Sequence, residues 1–212
     1  MPLYLQQKYP DNLEIAIWKV TETEDELYEN LLDIEKIEFG EFVHPKKRLE
    51  FLGARNLLAS ITQKLDIFYK GISKDETGKP FLIENSSEIS ISHCLPWIGV
   101  VLHPTKPVGI DIERPQEKLE KVAPRVFSES EIHFSKNNLD LITKIWCAKE
   151  VLYKIYAQGG NTFKTDFLVG NFQEDDVSFQ ASIIMQNFQK DYQIHTFNLE
   201  KDVWVCFGKE SE

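Results

Sequence analysis

Two stretches of helical periodicity, each followed by a series of short strand-like runs, constrain this chain more than any other feature. LEIAIWKV, from Leu13 to Val20, alternates apolar and mixed residues and includes β-branched ones, the pattern of a strand. Between Glu24 and Ile37 apolar residues fall at Leu27, Leu31, Ile34 and Ile37, which predicts one helix with carboxylates favouring its N-terminal end. After Pro45, KKRLEFLGARNLLASITQKL predicts a second helix that opens on Lys46, Lys47 and Arg48 and carries Arg55. PFLIE, EISISH, WIGVVLH and PVGIDIE then read as strands, separated by turn signals at Thr77-Gly78 and Leu95-Pro96. The next ~40 residues turn helical again. Ser128 and Glu131 have the spacing of a capping box, Asn137 or Asn138 can cap a longer helix, and Gly159-Gly160 is its expected end. TDFLVGNF, VSFQASIIM, YQIHTFNL and VWVCFG complete the chain as strands. Helices followed by strands in each half predict an α+β fold of two subdomains, 1–106 and 107–212, with the boundary near Lys106-Pro107.

With 212 residues, 42% of them hydrophobic, the chain is long enough to bury a real core, which excludes intrinsic disorder. Its formal charge of −10 argues against sequence-independent binding of nucleic acid or of an anionic membrane, both of which need surplus Lys and Arg. The N-terminal residues lack a basic region followed by an apolar one, and the longest apolar stretch, Cys94 to Leu102, is interrupted by Pro96 and is too short to span a bilayer. A soluble, cytoplasmic protein is the expectation. Cys94, Cys147 and Cys206 form neither a disulfide framework nor a zinc knuckle by spacing, so they read as small buried hydrophobes.

In Val108-Gly109-Ile110-Asp111-Ile112-Glu113, strand geometry projects both carboxylates from one face, about 6.6 Å apart. Two adjacent like charges cost energy unless a cation or a pKa shift relieves them, and hard oxygen donors suit Mg2+. Alone, the segment reads more readily as an edge strand with a solvated acidic face. Trp146, Glu150 and Lys154 share one face of the later helix, where Glu150 and Lys154 can be an ordinary exposed pair. Glu131 can be only a capping carboxylate, His93 a structural hydrogen-bonder and Lys79 a turn lysine. No GxxxxGK[ST], GxGxxG or GxSxG occurs, which removes the usual sequence support for a P-loop, a dinucleotide site or a hydrolase elbow.

Taken together and in order, GKP, SISH, VGIDIE, FSESE and WCAKEVLYK resemble the 4'-phosphopantetheinyl transferases of the surfactin-synthetase-activating (Sfp-like) type, over roughly Lys46 to Asp166. The most specific part is a G-(I/V)-D-x-E strand followed by W-x-x-K-E-x-x-x-K, and both halves are intact. The resemblance implies a pseudo-dimer of two similar α/β subdomains with the active site in the cleft between them, and a monomer in solution. It implies transfer of the phosphopantetheine arm of coenzyme A to a serine of an acyl or peptidyl carrier protein, with release of adenosine 3',5'-bisphosphate. Mg2+ is the implied cofactor, held by Asp111, Glu113 and Glu150. Glu150 is the first candidate for the base and Glu131 the second, while Lys149 and Lys154 are expected to face the phosphates. Lys79, Ser92 and His93, with Arg55, Lys46 and Lys47 less securely aligned, are the expected coenzyme A contacts on the N-terminal side.

Overall fold

A computed structural model describes residues 3–186 and 188–210. The chain divides into two compact units, Met1–Thr105 and Lys106–Glu212, each a mixed α/β unit with one antiparallel sheet. Among the described residues, no helix is long and apolar enough to cross a membrane.

In the N-terminal unit, β1 (Leu5–Lys8), β2 (Glu14–Lys19), β3 (Ile72–Lys74), β4 (Pro80–Leu82), β5 (Glu88–Cys94) and β6 (Trp97–His103) form a sheet of order β1-β2-β6-β5-β4-β3. Helices α1 (Glu24–Glu29), α2 (Asp33–Phe39) and α3 (Pro45–Lys64) accompany it. The apolar positions of α3, Leu52, Leu57, Leu58 and Ile61, join Trp18, Ile98 and Val100 in one core. Two strands escape the sequence pattern. The residues of β1, LQQK, are mostly exposed and hold their strand by pairing with β2 (Leu5 opposite Ile17); β3 is three residues paired with β4.

The helix expected over Glu24 to Ile37 is two helices. Thr23 and Glu26 cap the first reciprocally, and the Asn30 side chain folds back to donate to the Glu26 carbonyl at 3.0 Å. The Glu35 carboxylate then accepts from the Leu32 N–H at 3.1 Å and starts the second. Leu27 and Leu31 are buried, whereas Ile34 and Ile37 are 59% and 76% exposed, so the apolar repeat does not lie on a single buried face.

In the C-terminal unit, β7 (Val108–Glu113), β8 (Phe167–Val169), β9 (Ser178–Met185), β10 (Phe188–Leu199) and β11 (Val203–Glu210) form a sheet of order β7-β11-β10-β9-β8. Helices α4 (Glu117–Val126), α5 (Glu129–Ser135), α6 (Leu139–Tyr156) and α7 (Phe163–Asp166) lie between β7 and β8 in sequence. Asn138 caps α6 by accepting from Leu141 N–H at 3.0 Å. The helix ends before the glycines: Ala157 takes the left-handed conformation (φ 50°) and donates its N–H to the Tyr153 carbonyl. Ile145, Ala148, Val151 and Leu152 of α6 share a core with Phe167, Ile183 and Ile194. Lys144, also buried, donates to the carbonyls of Glu174 and Asp176 and lies over the Trp204 ring, fastening the β8–β9 loop to the helix.

The closest approach of helix to sheet is at Gly109. A Cβ there would lie 2.4 Å from the Val151 carbonyl oxygen and 3.0 Å from its Cγ1. Only a residue without a side chain lets α6 rest this near β7. Gly109→Ala must push helix and strand apart, and the expected loss is about 1–3 kcal/mol of stability, read from the urea midpoint. An unchanged midpoint would show that the two elements separate at no cost.

Candidate active site

Because side chains alternate along a strand, Asp111 and Glu113 leave β7 on the face that Gly109 turns toward α6. On α6, Lys154 lies one turn beyond Glu150. The Lys154 ammonium donates to the Ile110 carbonyl at 2.7 Å and to Asp111 Oδ1 at 2.9 Å, tying helix to strand at the acidic pair. Burial pushes the Glu150 carboxyl up to about 7; the charges of Asp111 and Glu113 add to this, and Lys154 only partly opposes it. Glu113 Oε1 accepts from the Arg114 N–H and from the Gln116 amide at 2.8 Å.

Asp111, Glu113 and Glu150 are thus hard oxygen donors, and at Glu150 burial and the charges of the other two outweigh the attraction of Lys154. That electrostatic setting fits a divalent cation. Among the described residues no three of His, Cys, Asp or Glu converge as a finished metal cage, so charge and donor type fit an ion better than the present side-chain positions do.

For Glu131 the capping reading holds, whereas Lys149 differs from expectation. The capping box is present, with Ser128 N–H donating to Glu131 Oε2 at 2.7 Å. Glu131 Oε1 also accepts from the Val169 N–H at 2.7 Å, and Lys149 Nζ lies 2.9 Å from Oε2. Lys149 donates further to the Phe163 and Phe167 carbonyls. Both residues are fully buried, and burial lowers the Lys149 pKa against the attraction of Glu131. Lys149 therefore faces a carboxylate and two carbonyls instead of a phosphate, and Glu131 has both oxygens engaged. The pair fastens α5, α6 and β8 together.

In the N-terminal unit, Lys46 and Lys47 are exposed at the start of α3, where Lys47 Nζ lies 2.8 Å and Lys46 Nζ 3.8 Å from the buried Glu50 carboxylate. His93 Nδ1, from β5, lies 3.3 Å from the same carboxylate. Three of the expected coenzyme A contacts are thus gathered by a residue that the sequence reading did not single out. The helical spacing of Glu50 to the two lysines was readable; its contact with His93 was not. Ser92 is buried on β5. Lys79 pairs with Glu88 at 2.6 Å beside a cavity of about 240 Å³ lined by Asp75, Phe81 and residues 85–88. Arg55 is buried, with Nη2 bonded to Glu38 at 2.7 Å and the guanidinium stacked on Phe51, while its Nε has no hydrogen-bond partner among the described residues.

Residues 107–207, which contain the whole β7/α6 junction, match the sequence profile of the 4'-phosphopantetheinyl transferase superfamily. The match to that superfamily thus lies within the C-terminal unit. A Haemophilus influenzae protein provisionally named a 4'-phosphopantetheinyl transferase is 31% identical over 141 residues, 61% of this chain. The match spans 59% of that relative's length. Within the matched segment, the glycine of the VGIDIE strand has a packing reason, since it admits α6 and so brings Glu150 and Lys154 to Asp111.

Two outcomes are expected. Between about pH 4.5 and 7 the folded chain holds a proton on Glu150 that the unfolded chain releases, so rising pH costs stability over that window, on the order of 3 kcal/mol in full. In chelator at pH 8, Glu150→Gln should therefore be more stable than the native protein by on the order of 1–3 kcal/mol, an advantage that fades toward pH 4.5; equal stability at both pH values would contradict the raised pKa. Lys149→Met leaves the Glu131 charge buried alone and should cost about 3–5 kcal/mol. Much of that should return in the Lys149→Met/Glu131→Gln double variant; a single variant as stable as native would mean that the pair does not hold the helices.

Proposed function

We propose that the chain is a Mg2+-dependent 4'-phosphopantetheinyl transferase of the Sfp-like type, transferring the phosphopantetheine arm of coenzyme A to a serine of an acyl or peptidyl carrier protein. The observation that carries this reading is the meeting of Asp111, Glu150 and Lys154 at the β7/α6 junction, inside the segment that matches the superfamily. Asp111, Glu113 and Glu150 would hold the ion, which supplies positive charge against the pyrophosphate oxygens as the phosphoanhydride bond breaks.

The serine oxygen attacks the phosphorus of the pantetheine phosphate, the bond to the bridging oxygen breaks, and adenosine 3',5'-bisphosphate leaves with the electron pair. The serine proton goes to a carboxylate. Glu131 has both oxygens engaged by Ser128, Val169 and Lys149, which supports Glu150 as the acceptor over Glu131. Lys154, a point charge on Asp111, would meet a phosphate as well, whereas Lys149 would act by holding α6 in place. In the N-terminal unit, Lys46, Lys47, Lys79, Ser92 and His93 would take the adenosine and its 3'-phosphate; the bond of Arg55 to Glu38 makes it the weakest candidate of that set.

Intact-protein mass spectrometry of an apo acyl carrier protein incubated with the chain, coenzyme A and Mg2+ tests the reading. A gain of one phosphopantetheinyl group is expected, lost without metal and cut by about 10²-fold or more in rate in Glu150→Ala and Asp111→Ala. Turnover of coenzyme A without a carrier, or transfer undiminished in both variants, would contradict it.

A further inference from the structure

We propose that Glu50 is the positioning residue of the coenzyme A phosphate site, holding Lys46, Lys47 and His93 in the arrangement that receives the anion. The inference rests on the reading above that these three residues meet the ligand. Glu50 is 4% exposed and lies one turn inside a 20-residue helix with no acidic residue in its first turn. Lys46 and Lys47 stand at the positive end of that helix, where cations are disfavoured and repel each other. Their side chains are 62% and 60% exposed and would otherwise sample many rotamers. The Glu50 carboxylate draws both back onto the helix, one through each oxygen, and its Oε1 also meets His93 Nδ1 from β5.

This arrangement does two things. It selects a few lysine rotamers before the ligand arrives, which lowers the ordering cost of binding. It also fixes the imidazole: a proton held on Nδ1 by Glu50 directs any anion contact of His93 to Nε2. A buried acid is an unfavourable neighbour for an anion by charge alone, and that makes the idea testable in sign. If the net field governed binding, removing the negative charge would tighten the anion. If Glu50 acts by positioning, removing it loosens the anion although the site becomes more positive.

Isothermal titration of adenosine 3',5'-bisphosphate and of coenzyme A into the full chain, as native protein, Glu50→Gln, His93→Ala and the double variant, decides between these. Glu50→Gln is expected to bind both ligands roughly tenfold more weakly than native. Added to His93→Ala, Glu50→Gln should cost much less than it does alone, because part of its effect runs through the imidazole. Equal or tighter binding by a folded Glu50→Gln overturns the role of Glu50 alone. A native protein that binds neither ligand overturns the coenzyme A reading itself, and the role of Glu50 with it. Should Glu50→Gln fail to fold, long-range proton–nitrogen NMR of native His93 decides: a proton on Nδ1 is expected, and a neutral ring protonated only on Nε2 overturns the proposal.

Discussion

The contact on which the rest depends is the approach of α6 to β7 at Gly109, where the Val151 carbonyl occupies the space of a missing Cβ. The contact sets the height of the helix over the strand. The alternation of the strand then presents Asp111 and Glu113 to the helix, and the helical repeat places Glu150 and Lys154 over them. A side chain in place of the glycine would push α6 away from β7 and strain the 2.9 Å bond of Lys154 to Asp111.

Around this junction the charges are treated in two ways. Glu131 and Lys149 neutralise each other in a dry setting and spend their remaining bonding capacity on the backbone, so they serve as a rivet. Glu150, the next residue along the helix, is desolvated by burial and faces like charges on β7 with too little compensation, and its carboxyl stays protonated at a pH where an exposed one would be ionised. Adjacent residues of one helix thus take opposite parts: one pair completes the fold, while the other group is an electrostatic cost that a cation would relieve.

Much of this was legible in the sequence, and the failures have physical causes. The alternating runs EISISH and VGIDIE announced β5 and β7, and Asn138 announced the start of α6, because each rests on local periodicity or local capping. The break between α1 and α2 was hidden: Leu31 and Ile34 keep helical spacing while Asn30 and Glu35 redirect the backbone. Strand β1 was missed because polar residues in an edge strand take their conformation from the partner. At the site, the carboxylates could be listed from their motifs, but the separation of Glu150 from Glu131 could not, since it depends on Val169 and Lys149 reaching Glu131 from elsewhere in the fold. The contact between Glu50 and His93 was invisible for the same reason.

The central claim is that α6 packed on β7 buries the Glu150 carboxyl beside the like charges of that strand and so raises its pKa. A carbon-13 NMR titration of the Glu150 carboxyl in the metal-free protein tests it most directly. The account predicts a midpoint of about 7, moving down in Asp111→Asn as one repelling charge is removed. A midpoint near the ordinary value of 4.5, unmoved by that substitution, would contradict it.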